Sequence, residues 1–498
     1  MFRNSLLELP FVDPAVERTS RQESYKSLPW IEAAPGAPYF VTEAGESWTP
    51  VGQNDAISWI ELNSLFRRRD LPAVEAHLHY LKAHGVTCLR LMLEYAQVRH
   101  RYIERPVGTF VPSMVQLWDD LFGLCEQIGL RILLTPFDTF WTWLHWKHHP
   151  YNSRHGGPLR RPSRLLLCPD ARRAIKNRLT FAVERWGGSG ALFAWDLWNE
   201  IHPAQAEESA DCFGEFIHDL SHHVRSLEQR LYGRSHPQTV SLFGPELSLR
   251  SHLNLKEPIF RHPDLDFASL HIYEHGTIDH PQNTVDAAIS MGRIVQDAIG
   301  EIWDSRPFLD TEHGPIHSFK DHKRTLPEPF DDEYFRHLQW AHLASGGAGG
   351  GMRWPNRTPH ALTKGMRRAQ QALAGFLPLV DWTRFRRVGL NPAIECSSDA
   401  VACFGCGDDA QAVIWLLRKD SIGRNGTLCS DARPLELRIR VPGLSEGRYS
   451  ITAWDTREGR ICAVSEAEKN GESFLPLQVP PLTTDLALAI SRQELRRE

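Results

Sequence analysis

Short apolar runs alternate with amphipathic helical patterns from about residue 48 to about residue 380 of this 498-residue chain. This alternation is typical of repeated strand–helix units around a parallel sheet. Eight such units over roughly 330 residues predict a (β/α)8 (TIM) barrel enlarged by loop insertions. A doubly wound open sheet is the competing topology, but no Gly-x-Gly-x-x-Gly follows the first run. The predicted strands are 47–52, 86–92, 131–137, 192–198, 239–244, 267–273, 307–312 and 350–355.

The pattern changes after a last helix predicted near residues 361–378. From about residue 385 the chain has only short strand-like stretches separated by turn residues, which predicts a small antiparallel β-sandwich. We therefore expect three parts. They are an N-terminal extension packed on the barrel (1–38), the catalytic barrel (39–382) and an accessory β-sandwich (383–498).

Composition limits the partners of the chain. The net charge is −5 and the basic residues are scattered, so we expect neither nucleic acid nor a membrane as a partner. No apolar run approaches the ~20 residues of a membrane span, and the N-terminus lacks a signal-peptide core. Nine cysteines, an odd number, favour reduced thiols over a disulfide framework. We expect a cytoplasmic protein, and the sequence leaves its oligomeric state open.

Two glutamates stand where a barrel carries its active site, at the carboxyl ends of strands. Asn199 and Glu200 follow the fourth predicted strand, and Glu312 ends the seventh. A glycosidase needs two carboxyl groups flanking the scissile bond, one protonated and one ionised. A lone glutamate at a rim is usually a salt-bridge partner, but two in matched places favour catalysis.

Three further polar residues stand inside or at the end of predicted strands. Arg90, inside the second strand, is a charge that needs a buried partner. Next to Glu312 it would keep that carboxylate ionised, whereas next to a structural aspartate it would only be a paired core arginine. His271 and Tyr273 end the sixth strand, where Tyr273 could hydrogen-bond Glu312 and His271 could contact sugar; ring packing explains either residue equally well.

The 16 tryptophans suggest surfaces that stack on sugar rings, although core packing also uses indole rings. Trp354 follows a glycine run at the eighth strand, and we expect it to form the floor of the sugar site. The loop 138–152 is rich in Trp and His, and it forms either a substrate wall or a metal site. We favour the wall and expect no metal and no cofactor, because the histidine spacing matches no zinc motif. Its candidate substrate-binding residues are Trp141, Trp143, His145 and Trp146.

Taken together, these motifs resemble glycoside hydrolase family 5 and its relatives with acid/base and nucleophile on strands four and seven. The resemblance covers about residues 39–380. It implies that Glu200 is the acid/base, Glu312 the nucleophile, Arg90 its orienting partner and Asn199 a sugar-binding residue, with Trp354 as the platform of subsite −1. The matching segments are VGQN (51–54), GVTCLR (85–90), WDLWNE (195–200), HIY (271–273), TEHG (311–314) and RW (353–354).

The sequence therefore predicts a retaining β-glycoside hydrolase that uses two glutamates in a double displacement. Its substrates would be β-linked oligo- or polysaccharides, with manno- or gluco-configured sugars favoured by the resemblance. One alternative is a catalytically silent carbohydrate-binding protein that uses the same aromatic cleft. Another is a metal-dependent hydrolase built around the histidine-rich loop.

Overall fold

A closed parallel barrel forms the larger part of the protein in the computed structural model, which describes residues 28–94, 101–316 and 325–493. The fifth strand consists of two pieces, one paired with the fourth strand and one with the sixth, so the sheet closes through Val240. The predicted (β/α)8 class is confirmed. The strands are β1 (Gly52–Asp55), β2 (Cys88–Met92), β3 (Arg131–Thr135), β4 (Leu192–Asp196), β5 (Gln238–Thr239 and Ser241–Phe243), β6 (Ala268–Ile272), β7 (Phe308–His313) and β8 (Met352–Arg353).

The first strand is the one that the sequence placed wrongly. It runs from Gly52 to Asp55, and not over 47–52. Pro50 has no backbone N–H for a central strand, so it separates the barrel strand from Ser47–Trp48. Those two residues instead pair with Phe40–Thr42, which pairs in turn with Ile31–Ala33.

This small antiparallel sheet covers the amino-terminal end of the barrel. The ring of Phe40 packs edge-on against Phe193 at 5.0 Å and Phe267 at 5.5 Å, both of which lie at the starts of barrel strands. Residues 1–27 of the predicted N-terminal extension lie outside the described residues.

Helices surround the barrel at positions that the periodicity indicated. The helix predicted over 169–186 has those bounds, and the one predicted over 71–84 ends one residue earlier, with Asp70 as its N-cap. The α-helices are α1 (Asn63–Arg68), α2 (Leu71–Ala83), α3 (Pro112–Ile128), α4 (Phe140–Leu144), α5 (Pro169–Trp186), α6 (Phe213–Tyr232), α7 (Glu246–Leu249), α8 (Thr284–Gly300), α9 (Glu328–Ala344) and α10 (Lys364–Phe376). Short 3₁₀ helices occur at Trp146–His148, Ser153–His155, Pro162–Arg164, Pro203–Ala206, Leu377–Leu379 and Asn391–Ala393, and a π-helical turn at Glu257–Arg261.

Two antiparallel sheets form the C-terminal β-sandwich, as predicted. The six-stranded sheet has the order β9-β11-β12-β17-β14-β15 and the three-stranded sheet β10-β13-β16, with the bounds given next. These are β9 (Val388–Gly389), β10 (Glu395–Cys396), β11 (Val401–Gly407), β12 (Gln411–Arg418), β13 (Leu435–Pro442), β14 (Gly447–Asp455), β15 (Arg460–Lys469), β16 (Phe474–Leu482) and β17 (Asp485–Arg492). The sequence missed β15 and β16, because both are edge strands and β16 contains three prolines, which an edge tolerates.

The sandwich packs on the barrel through one face of its larger sheet. Phe404, Trp415 and Trp454 on that face belong to the same apolar core as the barrel. A buried ion pair supports the contact, since Arg336 of α9 lies 2.6 Å from Asp485 of β17. The opposite face of the sheet forms a second core with the three-stranded sheet.

All nine cysteines are free thiols. Among the described residues, no helix combines the length and the apolar character that crossing a bilayer requires.

Candidate active site

Glu200 and Glu312 meet at the carboxyl end of the barrel. Glu312 lies within β7, paired in register with His271 of β6. Glu200 follows β4 and has a φ of 51°, in the left-handed region that side chains other than glycine rarely adopt. Its backbone N–H donates to Ser241 Oγ at 3.2 Å, which helps to hold the strained turn. The strained backbone at Glu200 therefore sets the direction of its carboxyl group.

His271 joins the two carboxyl groups. Its Nδ1 lies 2.8 Å from Glu200 Oε1 and 3.7 Å from Glu312 Oε2. Polar atoms of the three side chains all lie within 4.8 Å of one another. The ring is fully buried, so it faces the carboxyl groups rather than an open sugar site. Burial lowers the pKa of His271 to about 4, and the ring is therefore neutral at pH 7.

Glu312 receives a hydrogen bond on each carboxylate oxygen. Tyr273 Oη donates to Oε1 at 2.8 Å, and Arg90 Nη1 donates to Oε2 at 3.1 Å. Burial raises the pKa of Glu312, as does the charge of Glu200, while His271, Arg90 and Tyr273 oppose the rise. At pH 7 the hydrogen bonds from Arg90 and Tyr273 favour the ionised form of Glu312, against a net pKa that burial keeps above its ordinary value.

The sequence left open whether Arg90 pairs with Glu312 or with a structural aspartate, and in the structure it contacts both. Its fully buried guanidinium lies 2.7 Å from Asp196 Oδ2, and it also donates to Glu312 and to Asn54 Oδ1 at 2.8 Å. It donates to the side-chain oxygen of Asn199 as well. One cation thus connects the ends of β1, β2, β4 and β7, which fixes the relative positions of the polar groups.

Glu200 has an environment that favours its protonated form. Burial raises the pKa of Glu200 to about 7; Arg90 lowers it, and Asp196 and Glu246 raise it further. Asp138 is a second buried acid of this kind, since burial and the charge of Glu200 raise its pKa to about 7. Near neutral pH the site can therefore both hold and release a proton.

The aromatic residues predicted for the cleft lie in different surroundings. Trp354 is 4% exposed and packs edge-to-face with Trp59, their ring centroids 4.9 Å apart. Trp141 packs partly against the same cluster, and His145 stacks on it at 5.7 Å. Trp143 is 48% exposed.

Trp146 lies away from this aromatic cluster. Its indole N–H donates to the carbonyl of Arg160 at 3.1 Å, and its ring stacks on His149. It also packs against the main apolar core, so its contacts are those of a residue that supports the loop.

Sequence reasoning missed three polar residues of the network, namely Asn54, Asp138 and Asp196. Asp138 accepts from Asn199 Nδ2 at 2.5 Å and thereby orients the amide beside Glu200. Asp196 had a detectable signal, because it is a charge inside the apolar run 192–198 and thus the natural counterpart of Arg90.

Within the described parts of the chain, two groups of three side chains have the geometry to hold a metal ion. One is Glu200, His271 and Glu312, and the other is Asp55, Glu61 and His77. Neither includes a histidine of the loop 138–152. In that loop His149 is buried and accepts from the backbone N–H of Tyr151 at 3.2 Å.

No protein-family model matches the sequence, and no curated protein matches it either. Solved structures do match. One named as a glycoside hydrolase is 12% identical, with 94% of this chain and 98% of that chain covered and a TM-score of 0.63. A glycoside hydrolase family 5 protein from Bacteroides vulgatus ATCC 8482 is 11% identical, with 94% and 95% covered and a TM-score of 0.63.

A third match is a family 5 mannosidase from Rhizomucor miehei, solved in complex with mannosyl-fructose. It is 14% identical, with 69% of this chain and 97% of that chain covered and a TM-score of 0.50. At such low identities the likeness establishes the fold. The chain has the architecture of glycoside hydrolase family 5 proteins, and in the first two matches this likeness extends over nearly the whole chain.

Proposed function

We propose that the protein is a retaining β-glycoside hydrolase in which Glu200 is the general acid/base and Glu312 the nucleophile. The observation that carries this proposal is the contrast between two neighbouring glutamates. An oxygen of each lies within 4.8 Å of the other, yet burial gives Glu200 a pKa of about 7 while Arg90 and Tyr273 donate to Glu312. A glycosidase needs one carboxyl group that holds a proton and one that is stabilised as the carboxylate, and these two sets of partners support that division of roles.

In the first half of the reaction, Glu312 attacks the anomeric carbon while Glu200 gives its proton to the leaving oxygen. One oxygen of Glu200 lies within 4.8 Å of one oxygen of Glu312, which is compatible with the carboxyl separation of about 5–5.5 Å in retaining enzymes, against roughly 6.5–9.5 Å in inverting ones. The bond between the sugar and the leaving group breaks, and a glycosyl ester of Glu312 forms. Arg90 and Tyr273 stabilise the carboxylate until it reacts.

In the second half, Glu200 acts as a base. Glu312 has lost its negative charge in the ester, and Glu200 has lost its proton, so it can take a proton from water. The water attacks the anomeric carbon from the side on which the leaving group had been bonded, and the ester bond to Glu312 breaks. Two inversions give a product with the β configuration of the substrate.

The alternative of a silent carbohydrate-binding protein is less well supported. A protein that binds sugar by stacking it on aromatic rings needs neither a pair of carboxyl groups nor a buried arginine that compensates the charge of one of them. Burying Arg90, Asp196 and Glu312 together carries a desolvation cost that a binding protein has no reason to retain.

We propose manno- or gluco-configured β-linked oligosaccharides as the substrates. The R. miehei neighbour is named as a mannosidase in complex with mannosyl-fructose, which supports a manno-configured sugar. A panel of aryl β-mannosides, β-glucosides and β-linked oligosaccharides decides between the two.

The deciding experiment follows the configuration of the first product by NMR. We expect the β anomer to appear before mutarotation. The Glu312→Ala variant should lose turnover on every substrate. Glu200→Ala should impair substrates with poor leaving groups far more than activated aryl glycosides, and azide should restore its rate as a β-glycosyl azide forms.

Glu215→Ala, on the exposed face of α6, is the control for loss of a glutamate. It should retain the wild-type rate on all substrates. An α-configured first product would show inversion and refute the role of Glu312, and absence of cleavage across the whole panel would favour the binding protein.

A further inference from the structure

A second cluster of titratable side chains lies outside the barrel lumen. Asp55 is the last residue of β1, Glu61 lies in the loop that follows, and His77 is in α2. His77 Nε2 is 3.8 Å from Glu61 Oε2, and one polar atom from each of the three residues lies within 4.8 Å of the others. The proposed hydrolytic mechanism makes no use of this cluster.

Two atoms of the cluster are buried without a hydrogen-bond partner among the described residues. Asp55 is 4% exposed; its Oδ1 accepts from Ala56 N at 2.7 Å, but Oδ2 has no such partner. His77 Nε2 has none either. Buried polar atoms are nearly always paired, so this cluster needs a partner that interacts with both a carboxylate and an imidazole.

The nearby arginine does not meet this need. Arg367 Nη2 lies 3.3 and 3.4 Å from the two oxygens of Glu61, and Nη1 donates to Gln53 at 2.7 Å. It therefore pairs with Glu61, and although its charge also acts on Asp55, its hydrogen bonds go to Glu61 and Gln53 and not to Asp55.

We propose that Asp55, Glu61 and His77 bind a divalent transition-metal ion of the zinc class. One imidazole nitrogen with two carboxylate oxygens suits zinc, whereas calcium and magnesium take oxygen ligands. Zinc lies about 2.0–2.2 Å from such atoms, so a 3.8 Å separation between two of them is compatible with one shared ion. Glu61 and His77 are 18% and 14% exposed at their side chains, which gives the ion a path and leaves room for water as the fourth ligand.

The ion would stabilise the first loop of the barrel rather than take part in bond cleavage. Asn54, next to Asp55, contacts Arg90 at 2.8 Å, and the loop 56–62 carries Trp59 against Trp354. Linking Asp55 and Glu61 to α2 would fix both ends of that loop. The expected signature is therefore a metal-dependent rise in Tm.

The test is calorimetric titration of the EDTA-treated full chain with zinc alone, paired with thermal unfolding. We expect about one ion per chain at micromolar zinc and a Tm that rises with zinc concentration. His77→Gln should weaken binding at least tenfold, roughly the loss of one ligand, and abolish the rise in Tm. His79→Gln, an exposed histidine on the same helix, is the matched control and should bind like wild type.

Two results would overturn the proposal: no binding at micromolar zinc, or unchanged binding in His77→Gln. If binding is unchanged in His77→Gln but lost in Glu312→Gln, the ion lies at the catalytic pair. Should His77→Gln fail to fold, cobalt provides a second measurement. Bound to the wild-type site, it should give visible absorption bands that Asp55→Asn reduces and that magnesium does not displace.

Discussion

Arg90 donates to Glu312 Oε2 at 3.1 Å from a guanidinium that is completely buried. The opposite terminal nitrogen lies 2.7 Å from Asp196. Water is excluded from the arginine, so its charge acts on Glu312 with little screening and opposes the effect of burial on that carboxyl group. In the proposed mechanism, this contact and the hydrogen bond from Tyr273 distinguish the nucleophile Glu312 from the acid/base Glu200.

The first prediction concerns the basic limb of the pH profile. Glu200 must be protonated to act as an acid, and its pKa is raised to about 7. Activity should therefore fall as pH rises through about 7, when Glu200 loses its proton. Glu246→Gln removes a negative neighbour that raises this pKa, so the basic limb of kcat/KM should move to lower pH.

Glu207→Gln is the matched control, because Glu207 is an exposed surface glutamate with a side chain that is 53% exposed. Its profile should coincide with that of the wild type. A basic limb that stays in place in Glu246→Gln would mean that another group controls it, and Asp138 would be the next to mutate.

The second prediction concerns the acidic limb. Tyr273→Phe removes the hydrogen bond to Glu312 Oε1, which favours the ionised carboxylate. The pKa of Glu312 should rise, and the acidic limb of kcat/KM should shift to higher pH. The maximum should also fall about tenfold, in line with a hydrogen bond to a charged group of about 1.5 kcal/mol. Tyr334→Phe removes a buried hydroxyl that bonds to the Ile278 carbonyl instead, and it should leave the profile unshifted.

The third prediction compares two ion pairs with the same N–O distance. Arg90–Asp196 and Arg69–Asp120 both measure 2.7 Å, but the first pair is fully buried while the arginine of the second is 59% exposed. Asp196→Ala leaves a buried cation with less compensation and should cost about 3–5 kcal/mol of unfolding free energy. Asp120→Ala should cost about 0–1 kcal/mol. Denaturant unfolding of both variants measures the difference, and equal losses would contradict the role of burial.

The fourth prediction concerns Trp354, which we propose as the floor of the sugar site. Because Trp354 is 4% exposed and packs on Trp59, Trp354→Ala should lower the unfolding free energy by about 3–5 kcal/mol as well as the activity. Trp354→Phe keeps an aromatic face and should keep most of the stability, while raising KM. Wild-type KM and kcat in Trp354→Phe, measured on the best substrate, would be evidence against the platform.

The sequence pattern was sufficient to predict the barrel because short apolar runs mark its buried strands and apolar residues three and four positions apart mark its helices. α5 shows this well, since Pro169 at its start and the glycines after Trp186 mark both ends. β1 was misplaced because its apolar pattern is short and a proline interrupts it. β15 lacked a signal because it is an exposed edge strand, where alternation is not required.

The sequence by itself determined which residues stand at the carboxyl ends of the strands, and thus that Glu200 and Glu312 are close candidates. The pattern of apolar residues predicts the strands and the parallel barrel. The barrel in turn predicts that the residues at the carboxyl ends of its strands line the active site. Tertiary structure decided the rest. Asn54, Arg90, Asp138 and Asp196 come from four different strands or the loops after them, and their hydrogen bonds depend on register and rotamer. Burial then sets the pKa of Glu200, because desolvation is a property of the packed site and not of any segment of the chain.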